Sequence, residues 1–375
     1  MDPVTHIASG ILVGQAVRDR FPPGKWLIFF TALCAWIPDI DNFVTYFGPE
    51  AYMRYHRGLT HSILGGAVLA ALLAAAFRPL SRAAPFLKVF ALAFGCILMH
   101  DFLDLITTYG TQLLLPFSDA RLGLPAVFIV DPVYTGVMLV AVVLGFVLKT
   151  RGRTVALVAL GWLVLYPALS LGLREIVVAA QKERLTAEGL PQAVAHVTTD
   201  ALSPIYWKVV VDDGSNYRVR AASLLDPHGG PDVAVGKKAN RETLRRLGRE
   251  VSILSTYEWF AEFPVVSVPS ESAASMKTEK FRDSGGMVSR AEAGQNASGS
   301  GPDGFSQPRV LIFSDMRFVG VSPVLPESRR NPKQPMFAVR VELDASGRPE
   351  KVFFYRGGQA QGIAPAGRAS RTKGP

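Results

Sequence analysis

The chain has 375 residues, 49% of them hydrophobic, with a mean hydropathy of +0.23. That is too apolar for an ordinary soluble chain of this length and argues for a membrane protein. The formal net charge of +9 would suit nucleic acid only if it were packed into a stripe; here Lys and Arg are dispersed over loops and tail. Loop charge for topology and attraction to anionic headgroups account for it, and no nucleic-acid partner is expected.

Long apolar runs lie almost wholly before residue 180, and Lys, Arg, Gly, Ser and Pro crowd the remainder. The expected fold is a membrane α-helical bundle of about six spans, residues 1–181, followed by a small, mainly β (α+β) extracytoplasmic domain, residues 182–357. A mobile insertion is expected near 270–307 and a disordered tail over 358–375. The two cysteines, Cys34 and Cys96, sit inside apolar runs and read as small buried hydrophobes.

Six segments approach the roughly 20 residues needed to cross a hydrocarbon core of about 30 Å. They run near 3–17, 25–38, 60–77, 85–106, 132–149 and 154–174, the first two being short. Segment 3–17 opens with Met1-Asp2-Pro3, lacks a basic start and a small-x-small cleavage site, and is expected to stay in the mature protein. His6, Gly10 and Gly14 recur every four residues, so they share a face on which glycine permits close helix approach.

Loop charges orient the bundle. Arg18, Arg20, Lys25, Arg78, Arg82, Lys88, Lys149, Arg151 and Arg153 fall in one set of loops, and Arg54, Arg57 and Arg121 in the other, nine against three. The first set is expected in the cytoplasm and the second outside. His6, Asp39, Asp41, His56, His61, His100, Asp104 and Asp131 then all map to the outer ends of spans, on the side to which the C-terminal region exits.

Past residue 182, strand-like alternation marks Tyr206–Val211, Tyr217–Arg220, Arg309–Phe313, Phe337–Leu343 and Lys351–Tyr355, the last two forming a hairpin over Asp344-Ala345-Ser346-Gly347. Residues 240–262 read as helical.

Four His/Asp clusters at one depth point to a metal site, because ionisable groups beside membrane-length runs are costly unless they bind something. Neutral imidazole and carboxylate suit zinc and similar divalent ions, and groups four apart on a helix project side by side, as His100 and Asp104 do. Asp101 points about 100° away and is expected to orient a ligand. His56 and His61, five apart around Gly58, suit a turn entering the third span. Asp39 and Asp41 follow Pro38, where a helix ends or turns, so that one ligates and the other supports it. Asp131-Pro132 either starts the fifth span or supplies such a supporting carboxylate.

The strings Thr5-His6, Pro38-Asp39-Ile40-Asp41, His56 to Ser62, His100 to Asp104, Thr108-Tyr109-Gly110-Thr111 through Pro116-Phe117-Ser118, Arg121 and Asp131-Pro132 together resemble, in order, the YdjM-type family of inner-membrane metal-dependent hydrolases. Ile205 to Val210 and Phe313 to Phe318 resemble the outer domain of that family. The family is distantly similar to zinc-dependent phospholipase C and related single-strand nucleases, and by that likeness His100-x-x-x-Asp104 resembles their zinc pair. The resemblance implies a multi-pass protein of the bacterial inner membrane. It also implies metal-dependent hydrolysis, for which metal-activated water is the expected nucleophile, and the placement of the clusters at the outer membrane–water boundary favours a phospholipid or another lipid-linked phosphoester as substrate.

The candidate ligands are His6, Asp39, His61, His100 and Asp104, with His56 and Asp41 next. Asp41 or Asp101 is the candidate base, and Arg57 and Arg121 are candidates for holding phosphate. Zinc is the expected ion, and manganese or iron also suits the mixed donor set. Two alternatives are a non-catalytic scaffold stapled by metal and a metal or proton transporter. A transporter would carry its polar residues through to the far side, whereas the inner halves of these spans are Ala, Leu, Val and Phe.

Overall fold

The computed structural model describes residues 1–22, 26–148, 150–268, 310–325, 336–356 and 359–363. The expected insertion at 270–307, most of the expected loose tail, and the loop charges Lys25 and Lys149 lie outside the described residues.

The N-terminal part is helical: α1 Pro3–Val17, α2 Trp26–Trp36, α3 Pro49–Tyr55, α4 Ile63–Ala76, α5 Phe86–Leu105, α6 Pro132–Val147 and α7 Gly152–Ala187. Their starts follow from local chemistry. Asp2 caps α1 by accepting from the backbone N–H of Val4 and Thr5, with Pro3 in the first turn where no N–H is needed. Ser62 caps α4 through Gly65, and Asp131 caps α6 through Val133 and Tyr134. Pro38, which has no N–H to offer, coincides with the point where α2 gives way to a 3-10 segment, Ile37–Phe47.

Each expected apolar segment forms a helix, but fewer of them satisfy the length and composition of a membrane span. Trp26–Phe47, Phe86–Leu105 and Gly152–Ala187 do; Pro49–His61 with Ile63–Ala76, bent by 63°, makes a fourth if it is one broken span. Helices α1 and α6 have 15 and 16 residues and fall short.

Two compact units are distinguished: residues 1–191 with 195–209 and 221–230, and residues 192–194 with 210–220 and 231 onward. In the first, α1 packs against α2, α5, α6 and α7. Gly10 makes the α1–α2 approach possible, since a Cβ there would lie 2.4 Å from Thr31 O and 2.7 Å from Ala35 Cβ. Helices α1 and α6 run parallel, joined at their starts by Thr5 and Thr135 hydroxyls 2.6 Å apart and near their ends by Gln15 Nε2 donating to Val142 O at 3.0 Å. One apolar core gathers Leu12, Leu103, Tyr134, Met138 and Leu163; another gathers Phe30, Ala70, Val89 and Ile97 with the free, buried Cys34 and Cys96. Helix α7 continues through residue 181 to Ala187, and Arg184 Nη1 there donates to the carbonyls of His228, Gly229 and Gly230 at 2.7, 2.8 and 2.9 Å.

Among the described residues there are nine strands, β1 Val194–Thr199, β2 Tyr206–Asp212, β3 Asn216–Ser223, β4 Asp232–Lys238, β5 Pro264–Ser267, β6 Val310–Asp315, β7 Ala338–Leu343, β8 Pro349–Arg356 and β9 Gln359–Ile363. In the second unit β3 to β9 are neighbours in chain order, every pairing antiparallel. The hairpin over 344–347 forms as β7 and β8. The tail departs from expectation, because Gln359–Ile363 pairs along β8. The single helix expected over 240–262 is divided into α8 Arg241–Gly248 and α9 Ser252–Phe260. Gly248 permits the tight join, since a Cβ there would stand 2.8 Å from Ser255 N.

Gly10→Val should therefore force α1 and α2 apart and destabilise the bundle by about 1–3 kcal/mol, the usual cost of overpacking. Thermal unfolding in detergent reads this as a lowered midpoint; an unchanged midpoint would mean that α1 and α2 are not in close contact.

Candidate metal centre

Asp39, His61, His100 and Asp104 each offer one ligand atom, and these atoms all lie within 4.8 Å of one another. The four side chains come from three places: the 3-10 segment after α2, the turn before α4 and the last turns of α5. Helix periodicity brings His100 and Asp104 together, with Nε2 3.7 Å from Oδ2. The kink after Pro38 and the turn Leu59–His61 deliver Asp39 and His61 to the same point, His61 Nε2 standing 3.8 Å from Asp39 Oδ1 and 3.2 Å from Asp104 Oδ2.

Hydrogen bonds on the outer sides of the rings fix what the inner nitrogens can do. His100 Nδ1 is 2.7 Å from Ala35 O, and a carbonyl can only accept, so Nδ1 carries the proton and a neutral ring presents a lone pair at Nε2. His61 Nδ1 lies 3.0 Å from Asp41 Oδ2, which sets the same tautomer. The two Nε2 atoms then face each other at 3.0 Å with carboxylate oxygens beside them, in a site where His61, His100 and Asp104 are fully buried. Converging lone pairs and carboxylates repel one another in a low dielectric and are reconciled by a shared cation. Two imidazoles and two carboxylates are a suitable donor set for a divalent transition ion, so the residues present fit a metal.

The remaining candidates take distinct positions. His6 stacks on His100 with ring centroids 3.7 Å apart and has Nε2 3.3 Å from Asp104 Oδ1, beside the group of four. His56 stands outside it, its Nδ1 2.8 Å from Asp41 Oδ1 and its ring stacked on Tyr52 at 4.6 Å. Asp41 is fully engaged: besides the two histidines it accepts from Arg57 N at 2.8 Å and Thr60 Oγ1 at 3.1 Å. Its Oδ2 takes Arg57 N, Thr60 Oγ1 and His61 Nδ1 while Oδ1 meets His56 Nδ1, so that Asp41 holds both histidines in place.

Asp101 is buried, its two oxygens accept no hydrogen bond among the described residues, and Oδ2 points at Gly66 of α4. Arg57 reaches the centre, with Nη2 2.9 Å from Asp104 Oδ1 and Nη1 donating to Thr107 Oγ1 at 2.8 Å. The main-chain amine of Met1 also meets Asp104 Oδ1. Arg121 does not reach it, donating instead to Met53 O and Gly110 O. Asp131 is the cap of α6, with Oδ2 2.9 Å from the Tyr166 hydroxyl, and is not brought to the cluster.

Some contributors carried no separate sequence signal as site residues. Ala35 acts only through its carbonyl, and Thr60 and Thr107 are polar residues among many. Tyr109 lies in a motif string, yet its place between the guanidinium groups of Arg57 and Arg121, at 5.2 and 4.6 Å from its ring centre, is a tertiary fact. Arg57 has φ of +58°, a conformation that side chains rarely adopt and that here sends its backbone N–H to Asp41 and its guanidinium to Asp104.

Purified protein should carry a tightly held divalent transition ion, and His100→Ala should lose most of it. Asp41→Asn should keep the fold while lowering metal affinity by about 10–100-fold, as loss of a ligand-orienting partner does. Elemental analysis of protein prepared without chelator reads both, and absence of metal from the parent protein would remove the site.

Residues 1–177 match the family model described as YdjM inner membrane protein. A Bacillus subtilis (strain 168) protein named YfhP, itself described as uncharacterized, is 29% identical over 138 residues, covering 35% of this chain and 42% of that protein. The chain thus aligns with less than half the length of this relative. No solved structure matches the chain. The matched region, residues 1–177 of 375, contains every residue of the cluster, so the cluster lies within the part of the chain that is similar to the YdjM inner membrane protein family.

Proposed function

We propose that the protein is a membrane-bound, metal-dependent hydrolase that cleaves a phosphoester of a phospholipid or lipid-linked compound at the outer membrane face. The observation that carries this reading is the facing pair of ring nitrogens, His61 Nε2 and His100 Nε2, 3.0 Å apart between Asp39 and Asp104. A divalent ion, zinc by preference, supplies Lewis acidity toward a phosphoryl oxygen and lowers the pKa of a bound water from 15.7 to about 7.

The protein's own groups divide the remaining work. His61, His100, Asp39 and Asp104 hold the ion, with His6 adjacent, and Asp41 and Ala35 O keep the two ring nitrogens aimed inward. Arg57 holds Asp104 in place and adds a fixed positive charge where a phosphate would collect negative charge. Asp41 is committed to His61 and His56 and Asp101 is turned to α4, so Asp39, through the oxygen it does not offer to the ion, is the carboxylate suited to take the proton of the attacking water; at 10% exposure its side chain is the most accessible of the four. Phe43, Tyr46 and Phe47, in the same 3-10 segment as Asp39, are exposed, as apolar and aromatic groups at a membrane interface are. They favour a substrate presented from the lipid surface.

The orientation belongs to the same proposal: six spans, the short α1 and α6 included, with the basic loops in the cytoplasm and the cluster and the C-terminal region outside. The complete burial of His61, His100 and Asp104 favours a second reading, a closed site in which metal only joins α4, α5 and the end of α2.

Purified protein in lipid or detergent should cleave some phosphoester, lose the activity on chelation and regain it with metal. Asp39→Asn should retain the fold and the metal while lowering turnover by about 10²–10⁴, the range for loss of a general base, loss of the metal instead marking Asp39 as a ligand alone, and Asp101→Asn should leave turnover near the parent value. A broad screen of phosphoesters, esters and amides without metal-dependent turnover would leave the stapled scaffold. For orientation, a reporter active only outside the cytoplasm should work when fused after residue 200 and fail near Arg82 or Arg151; the reverse pattern would refute it.

A further inference from the structure

The end of the bundle remote from the metal cluster carries a second feature. Helices α6 and α7 enclose an apolar groove of about 680 Å³, lined by Val140, Leu144, Val158 and Trp162, with Arg151 and Thr154 among its lining. Its position follows from the helix directions. The start of α6 lies with the start of α1, where His6 meets Asp104, and the end of α6 lies with Gln15, one helix length away. Arg151, between the end of α6 and the start of α7, is therefore at the far end from the cluster. The same end carries Arg18, Arg20, Arg78 and Lys88, with the α1–α2 and α4–α5 loops joined by Lys88 Nζ donating to Arg20 O.

Three properties single this groove out from the apolar helix faces that any lipid-exposed bundle presents. It is concave, whereas Val140 and Val158 on its walls are 60% and 69% exposed and open sideways. Gly161, which also lines it, has nothing within 4 Å of where a Cβ would stand, so a side chain placed there would project into open space. Arg151 is exposed and forms no ion pair among the described residues. A guanidinium is suited to a bidentate phosphate contact, and Thr154 three residues on lies on the same helix face with a hydroxyl to add.

We propose that this groove is a binding site for one anionic phospholipid, with an acyl chain along the α6–α7 walls and the headgroup phosphate on Arg151 and Thr154. Charge selects the occupant: a basic rim at a membrane surface discriminates for anionic over zwitterionic headgroups, and the apolar slot accepts a chain rather than a free phosphate. The site is independent of the metal centre and of any hydrolysis there.

The test uses the full chain reconstituted in discs with equal phosphatidylglycerol and phosphatidylcholine, released into mild detergent and weighed intact by native mass spectrometry. The parent protein should retain one phosphatidylglycerol in preference to phosphatidylcholine. Arg151→Gln should reduce that preference by about tenfold, in keeping with loss of one charge-assisted contact. Gly161→Leu, whose Cβ would have nothing within 4 Å and whose longer side chain would occupy the slot, should abolish retention of both lipids. Metal content should be unchanged in both variants, which separates loss of the lipid site from misfolding. Equal retention of the two lipids, or phosphatidylglycerol retention unaffected by both variants, would overturn the proposal. So would a dimer cross-linked across α6 and α7, since a second copy would then occupy the groove.

Discussion

Two neutral imidazoles aimed at each other impose the constraint on which the N-terminal unit turns. Ala35 O and Asp41 occupy the outer nitrogens of His100 and His61, so both inner lone pairs point into a dry centre that already holds Asp39 and Asp104. Arg57 and the Met1 amine compensate Asp104 Oδ1, but the facing lone pairs of His61 and His100 Nε2 still repel one another without a shared cation. With one, the centre becomes the strongest joint between α4, α5 and the end of α2. The hydrolysis proposed above would draw on the same arrangement, since an ion held there places positive charge beside Arg57.

The surrounding bundle serves that joint through small residues and helix caps. Gly10 lets α1 close on α2, so that His6 stacks on His100, and Asp2 starts α1 at the level where α5 ends. Asp131 starts α6 at the same end and is held by Tyr166 of α7. Caps, glycines and the Pro38 kink thus bring several helix termini to one level. Arg57 adds a strained backbone whose benefit is visible in its contacts: one residue reaches both Asp41 and Asp104. At the opposite end the chain shows the contrary chemistry, apolar walls with an uncommitted guanidinium.

Much of this was legible in the sequence because its signals are local. Apolar runs gave the helices, and the spacing of His100 and Asp104 gave their pairing, since helical periodicity needs no tertiary knowledge. Alternation identified β2, β3, β6, β7 and β8, and left out β1, β4, β5 and β9, of which β4 is half-exposed along its length and β5 only four residues long. The roles of the carboxylates were not legible. Asp39 and Asp41 are two residues apart, and only the 3-10 turn decides that the first faces the cluster while the second is consumed by His56, His61, Arg57 and Thr60. Arg121 likewise carries a phosphate-binding chemistry, yet its guanidinium is directed to Gly110 O and Met53 O by loops that no periodicity describes. Span number is the coarser part of the reading: three helices, or four with the bent pair, meet the length and composition of a span, while α1 and α6 are apolar but only 15 and 16 residues long.

The most direct measurement is anomalous scattering from crystals of the metal-loaded protein, recorded on both sides of the absorption edge of the bound ion. The account predicts a difference peak bounded by Asp39, His61, His100 and Asp104, about 2.0–2.2 Å from His61 Nε2 and His100 Nε2. A peak between His56 and Asp41 instead, or a cluster bridged by hydrogen-bonded waters with no peak at all, would contradict it.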